Sequence, residues 1–73
     1  MDKGILYVSR AWNGNMYVLR FVRDGEEVET TSPLKECEVL RRVGKYRGCE
    51  TSFEGKVPAE FSMKVRRAVD VLP

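Results

Sequence analysis

Apolar and polar positions alternate through the first thirty residues and then change period. Two β-rich runs, Ile5-Leu6-Tyr7-Val8 and Met16-Tyr17-Val18-Leu19-Arg20-Phe21-Val22, flank Asn13-Gly14. Asn-Gly accepts positive φ at both central positions of a type I′ turn, so this is a hairpin signal. Asp24-Gly25 repeats it and leads into Glu26-Glu27-Val28-Glu29-Thr30-Thr31. The pattern predicts a three-stranded antiparallel meander, with strands at about 4–12, 15–23 and 26–31.

Ser32-Pro33 marks the change of period. Serine caps a helix start, and proline at the first helical position already has helical φ. Leu34, Cys37, Leu40 and Val43 then recur at helical spacing, with Lys35, Glu38, Arg41, Arg42 and Lys45 on the other side. Gly44 or Gly48 ends this helix. Cys49-Glu50-Thr51-Ser52-Phe53-Glu54 alternates and predicts a short fourth strand with Cys49, Thr51 and Phe53 on one side. Gly55-Lys56-Val57 is a turn. Pro58 opens a second helix over about 58–71, with the apolar stripe Phe61, Val65, Ala68, Val69 and Leu72. The fold class expected is α+β in the order βββαβα: a three-stranded antiparallel meander, then helix, short strand and C-terminal helix. One domain spans 1–73.

Two-residue turns fix a register. Around Asn13-Gly14, Val8 faces Leu19, Leu6 faces Phe21, Tyr7 faces Arg20 and Ile5 faces Val22. Around Asp24-Gly25, Phe21 faces Val28, Arg20 faces Glu29 and Val22 faces Glu27. Directly paired residues share a sheet face. One face is then Leu6, Val8, Leu19, Phe21 and Val28, which must receive the helices. The other carries Ile5, Tyr7, Ser9, Met16, Val18, Arg20, Val22, Glu27 and Glu29. If both helices sit on the first face, Ile5, Tyr7, Met16, Val18 and Val22 form an uncovered apolar patch, a feature that marks binding sites. The alternative is a sheet with a helix on each side. Arg20 would then be buried against Glu29, which is a costly arrangement.

Composition narrows the chemistry more than the fold. The chain has 73 residues, 42% hydrophobic and 33% charged, an ordinary globular mix. A chain this short buries only about 60% of its unfolded surface, leaving little room for a large cofactor pocket. It has no apolar run of membrane-spanning length and no signal-peptide pattern near Met1, so a cytoplasmic protein is expected. Histidine is absent, which removes the commonest general base and transition-metal ligand. Two cysteines, Cys37 and Cys49, do not make a four-ligand zinc site. In a reducing compartment they are expected as small core residues rather than a bridge. No phosphate-cradling loop, nucleophile elbow or metalloprotease motif occurs. No enzyme activity, cofactor or metal is expected.

Charge is clustered although the net value is only +2. Asp24, Glu26, Glu27 and Glu29 form an acidic group; Arg41, Arg42, Lys45 and Arg47 form a basic run that includes Tyr46; Lys64, Arg66 and Arg67 form a third group. Trp12 and Tyr17 are placed at the rim of the core-facing side, where an aromatic either closes the core or anchors a partner. The candidate partner-binding residues are Tyr7, Met16, Val18, Arg20, Val22 and Trp12, with Arg41, Arg42, Lys45, Tyr46 and Arg47 as a second, basic patch.

Three functions follow from these surfaces. The first is a non-enzymatic protein that blocks a partner's surface. With hairpins at Asn13-Gly14 and Asp24-Gly25, a helix after Thr31-Ser32-Pro33 and a compact end at Val57-Pro58-Ala59, the chain resembles small phage-encoded inhibitors of bacterial defence, anti-CRISPR proteins among them. The resemblance covers the whole chain in size and layout. Those inhibitors share no motif, so no residue role is carried over. It implies binding to a host effector complex, a nucleoprotein, and blocking its nucleic-acid or nuclease site. The second is nucleic-acid binding. A meander followed by a helix is similar to the arm-site DNA-binding domains of phage integrases, which place the sheet in the major groove. That similarity would make Arg10, Arg20 or Arg23 readers, with Arg41, Arg42 and Lys45 on phosphates. The acidic group opposes it. The third is a structural protein that self-associates through Tyr7, Met16 and Val18. A monomer or weak homodimer is expected, with no membrane contact.

Overall fold

The computed structural model describes residues 4–11 and 15–70. Its strands are β1 (Ile5–Arg10), β2 (Met16–Arg23), β3 (Glu26–Thr30), β4 (Leu34–Lys35) and β5 (Glu50–Glu54). Its helices are α1 (Glu36–Arg42) and α2 (Ala59–Asp70), with a 3-10 turn over Val43–Tyr46. The sheet runs β3-β2-β1-β5, and β4 pairs with the start of β2. The fold is α+β, a meander followed by helix, strand and C-terminal helix, as expected.

The first hairpin has the expected register: Ile5↔Val22, Leu6↔Phe21, Tyr7↔Arg20 and Val8↔Leu19. Its Asn13-Gly14 turn and Trp12 lie outside the described residues. At the second turn Asp24 has φ 54° and Gly25 φ 78°, the positive values that a type I′ turn needs at both central positions. β5 lies beside β1 in parallel, pairing Leu6 with Thr51 and Val8 with Phe53. β1 is therefore enclosed on both edges, and Leu6 and Val8 are fully buried. Gly4 leads into it at φ +81°, where a Cβ would stand 2.6 Å from the Val22 carbonyl oxygen. Only glycine fits there without moving the neighbouring strand.

Both helices pack on the same face. The core joins Leu6, Val8, Tyr17, Leu19 and Phe21 of the sheet to Val39 and Val43 and to Phe61, Val65 and Val69 of α2. Burying each such side chain is worth roughly 1.5–3 kcal/mol. Tyr17 is not a rim residue. It is 2% exposed, and its ring stacks on Phe61 at a centroid distance of 4.3 Å.

Three local expectations are corrected. The first helix begins at Glu36 rather than at Pro33. The Thr31 amide donates to the Leu19 carbonyl, and Leu34 pairs with Tyr17, so sheet pairing holds this segment extended past the Ser-Pro signal. Glu38 then reaches back to the Lys35 amide at 3.1 Å and closes the first helical turn. α1 ends at Arg42, and the backbone continues as the 3-10 turn to Tyr46, with Gly48 at φ +83° beyond it. Cys37 is exposed while Cys49 is buried, and neither is in a disulfide. The short helix turns Val39 and Val43 inward and leaves Cys37 on its outer side.

The third correction concerns β3. Arg20↔Thr30 and Phe21↔Glu29 follow one register; Val22↔Glu27 and Arg23↔Glu26 follow another, shifted by one residue. Val28 is the extra residue of this β-bulge and is 57% exposed. Phe21 therefore faces Glu29 rather than Val28, and Arg20 does not face Glu29.

Candidate binding face

The alternation of β1 and β2 leaves Ile5, Tyr7, Ser9, Met16, Val18, Arg20 and Val22 on the side opposite the helices. All are partly exposed, alternating with the buried Leu6, Val8, Tyr17, Leu19 and Phe21. No described element packs over them. Tyr7, Met16, Val18, Arg20 and Val22 thus share one face, as the period of two required, and Ile5 extends it.

Arg20 sits centrally on this face. Its guanidinium lies 4.8 Å from the centroid of the Tyr7 ring, which is its cross-strand partner. Nε is 4.0 Å from Glu27 on β3, and Nη2 is 3.8 Å from Glu54 on β5. The three charges run obliquely across the sheet from one edge strand to the other. All three side chains are about half exposed, so each pair contributes at most about 1 kcal/mol. Glu54 had no recognisable role in the sequence. Its contribution depends on β5 lying parallel to β1, a long-range pairing that the alternation of 49–54 does not encode. Glu50 pairs with Ile5 on the same face.

Glu29 belongs to the helix side. The Tyr46 hydroxyl donates to its carboxylate, and Lys45 Nζ donates to it at 3.2 Å. These two hydrogen bonds, Tyr46 first, hold the Glu29 carboxyl below its ordinary range. Burial, and then the bond to Glu29, push the Tyr46 phenol well above its own. Tyr46 is not a surface stacking residue of the basic run. It is buried, with its ring 5.0 Å from that of Phe21. Arg41, Arg42, Lys45 and Arg47 are exposed, and Lys45 is tied to Glu29.

The three arginines expected as groove readers do not come together. Arg20 is on the open face. Arg10 pairs with Tyr17 on the opposite side, reaching the Lys56 carbonyl at 3.5 Å and Asn15 at 3.4 Å. Arg23 lies over the Phe21 ring at 5.3 Å. Among the described residues no three metal-ligating side chains gather, and no helix is long and apolar enough to cross a membrane. Comparison with protein-family models, curated proteins and solved structures finds no match for the chain.

Proposed function

We propose that the chain is a non-catalytic binding module that occupies the surface of a partner protein through its open sheet face. One observation carries this reading: five partly exposed apolar side chains of β1 and β2 lie together on one sheet face with no described element over them, around an arginine flanked by two carboxylates. Contiguous, partly exposed apolar surface of this kind is what association removes from water. Aromatic and arginine side chains at the centre of such a patch are the usual energetic anchors. Tyr7 and Arg20 fill that role here, and Val18 and Met16 supply the surrounding apolar contact.

A small two-layer domain suits steric blocking. Its interface residues are fixed by sheet register, so little conformational entropy is lost on docking. In its finer form the proposal is an inhibitor of a host defence nucleoprotein, carried by the likeness in size and layout to phage-encoded inhibitors. Affinity capture from a bacterial lysate, followed by titration of the captured complex, tests both levels. The Tyr7→Ala/Arg20→Ala pair should weaken binding at least about 100-fold if both residues are anchors. Unchanged affinity refutes the sheet face. A captured partner that is not a defence complex refutes the finer form alone.

A further inference from the structure

The helix layer has a charge pattern opposite to that of the sheet. Over 35–47 and 59–70 it carries eight cations and four carboxylates, whereas the open face sets Arg20 against Glu27, Glu50 and Glu54. Every ion pair among the described residues takes its carboxylate from a strand. Arg41, Arg42, Arg47, Lys64, Arg66 and Arg67 are exposed and form no ion pair among the described residues. Arg66 is engaged only through its approach to the Phe53 ring, 5.8 Å from the centroid. Glu38 lies one helical turn from Arg41 and Arg42, and Glu60 shares a shallow depression with Lys64 and Arg67, but neither forms an ion pair with them.

The same layer is poor in exposed apolar surface. Met63, 56% exposed, is its only large exposed hydrophobic among the described residues. A protein interface needs an apolar centre, whereas a nucleic-acid interface is polar and strongly positive. Seven of the eight cations form no ion pair among the described residues, Lys35 included, and five of the seven are arginines, whose planar forks match phosphate oxygens. We propose that the outer face of the helix layer binds the phosphate backbone of nucleic acid, without reading base sequence. The interactions available are with phosphates, which position a chain but do not specify bases. The site is separate from the open sheet face and stands or falls independently of it.

Fluorescence anisotropy with labelled random-sequence single strands and duplexes, across a salt series, tests this. If four cations engage phosphates together, duplex affinity falls roughly 100-fold over a fourfold rise in salt. In the Arg41→Gln/Arg66→Gln/Arg67→Gln variant, the slope of log affinity against log salt should flatten by about 0.9 for each phosphate no longer neutralised. All three side chains are exposed, and far-UV circular dichroism checks that the variant is folded. Tyr7→Ala/Arg20→Ala should leave the slope unchanged. Absence of binding at low salt overturns the proposal, as does a loss caused by the sheet pair and not by the helix triple. Competition by poly-glutamate as effective as by nucleic acid also overturns it, and assigns the face to an acidic protein surface.

Discussion

Thr31 stands where β3 has ended and β4 has not begun, and it carries the sheet across the gap. Its backbone amide donates to the Leu19 carbonyl at 3.0 Å. Its hydroxyl accepts from the Leu19 amide at 3.2 Å. A side-chain oxygen thus takes the place of the carbonyl that a continuous strand would present. In an antiparallel ladder both backbone groups of a residue point to the same neighbour, so Leu19, turned toward Thr31, has no alternative acceptor on β1. Thr31→Val keeps the β-branched shape and the backbone bond but removes the acceptor. The cost is an unsatisfied, partly buried amide, about 1–2 kcal/mol. A chain of this length is stable by roughly 4–11 kcal/mol, so the loss is measurable. With a urea slope of about 1 kcal/mol/M, the unfolding midpoint should drop by about 1–2 M. Thr31→Ser keeps the acceptor and should recover most of that loss. Hydrogen exchange at Leu19 should accelerate more than at any other β2 amide. A Thr31→Val midpoint indistinguishable from wild type, with Leu19 still protected, would refute the bridging role.

Two further perturbations test the wiring around β3. Glu29 titrates below its ordinary 4.5, held down by Tyr46 and Lys45, so its stabilising contribution is present above that value and is lost as pH falls through the lower folded value. Tyr46 titrates above its ordinary 10.0, so its contribution is present below pH 10 and is lost as pH rises toward the folded value. Tyr46→Phe should therefore flatten the alkaline limb of the stability profile and shallow the acid limb, read by chemical denaturation at a series of pH values; an unchanged alkaline limb would contradict it. Deleting Val28 should remove the bulge, leave every other β3 residue on its present face, and change stability by less than about 1 kcal/mol, because the residue removed is exposed. A loss above about 2 kcal/mol would mean that the bulge's twist is needed to bring Thr31 to Leu19.

The parts of the fold that depend on period and turn chemistry were legible in the chain. Alternation in 5–8 and 16–22 placed Leu6, Val8, Leu19 and Phe21 inward and Tyr7, Val18 and Arg20 outward, and the structure keeps that division. The stripe Phe61, Val65 and Val69 is likewise the buried edge of α2. What local pattern could not carry is competition between segments. Ser32-Pro33 is a sound helix start in isolation, yet Leu34 is worth more buried beside Tyr17 than in a first helical turn. Tyr46 reads as an aromatic among four cations, but its ring enters the core and only its hydroxyl reaches the surface acid Glu29. Glu54 becomes a partner of Arg20 only because β5 pairs with β1, which joins segments more than forty residues apart.

The bulge at Val28 determines which surface each acid serves. Glu27 and Glu29 are two positions apart, so a regular strand would place both on the open face. The extra residue breaks that parity. Glu27 stays with Val22 on the open side and meets Arg20, while Glu29 faces Phe21 on the helix side and meets Tyr46 and Lys45. Paired as a regular strand that keeps Val28, β3 would bring Glu29 to Arg20 as a third carboxylate, and the Tyr46 hydroxyl would lose the acceptor it has. With the bulge, Glu29 pairs with Lys45 on the helix side, while Arg41 and Arg42 of α1, Lys64, Arg66 and Arg67 of α2, and Arg47 form no ion pair among the described residues. The register shift on an edge strand therefore shapes both faces: it sends Glu27 to the arginine of the apolar sheet and Glu29 to Tyr46 and Lys45 on the helix side.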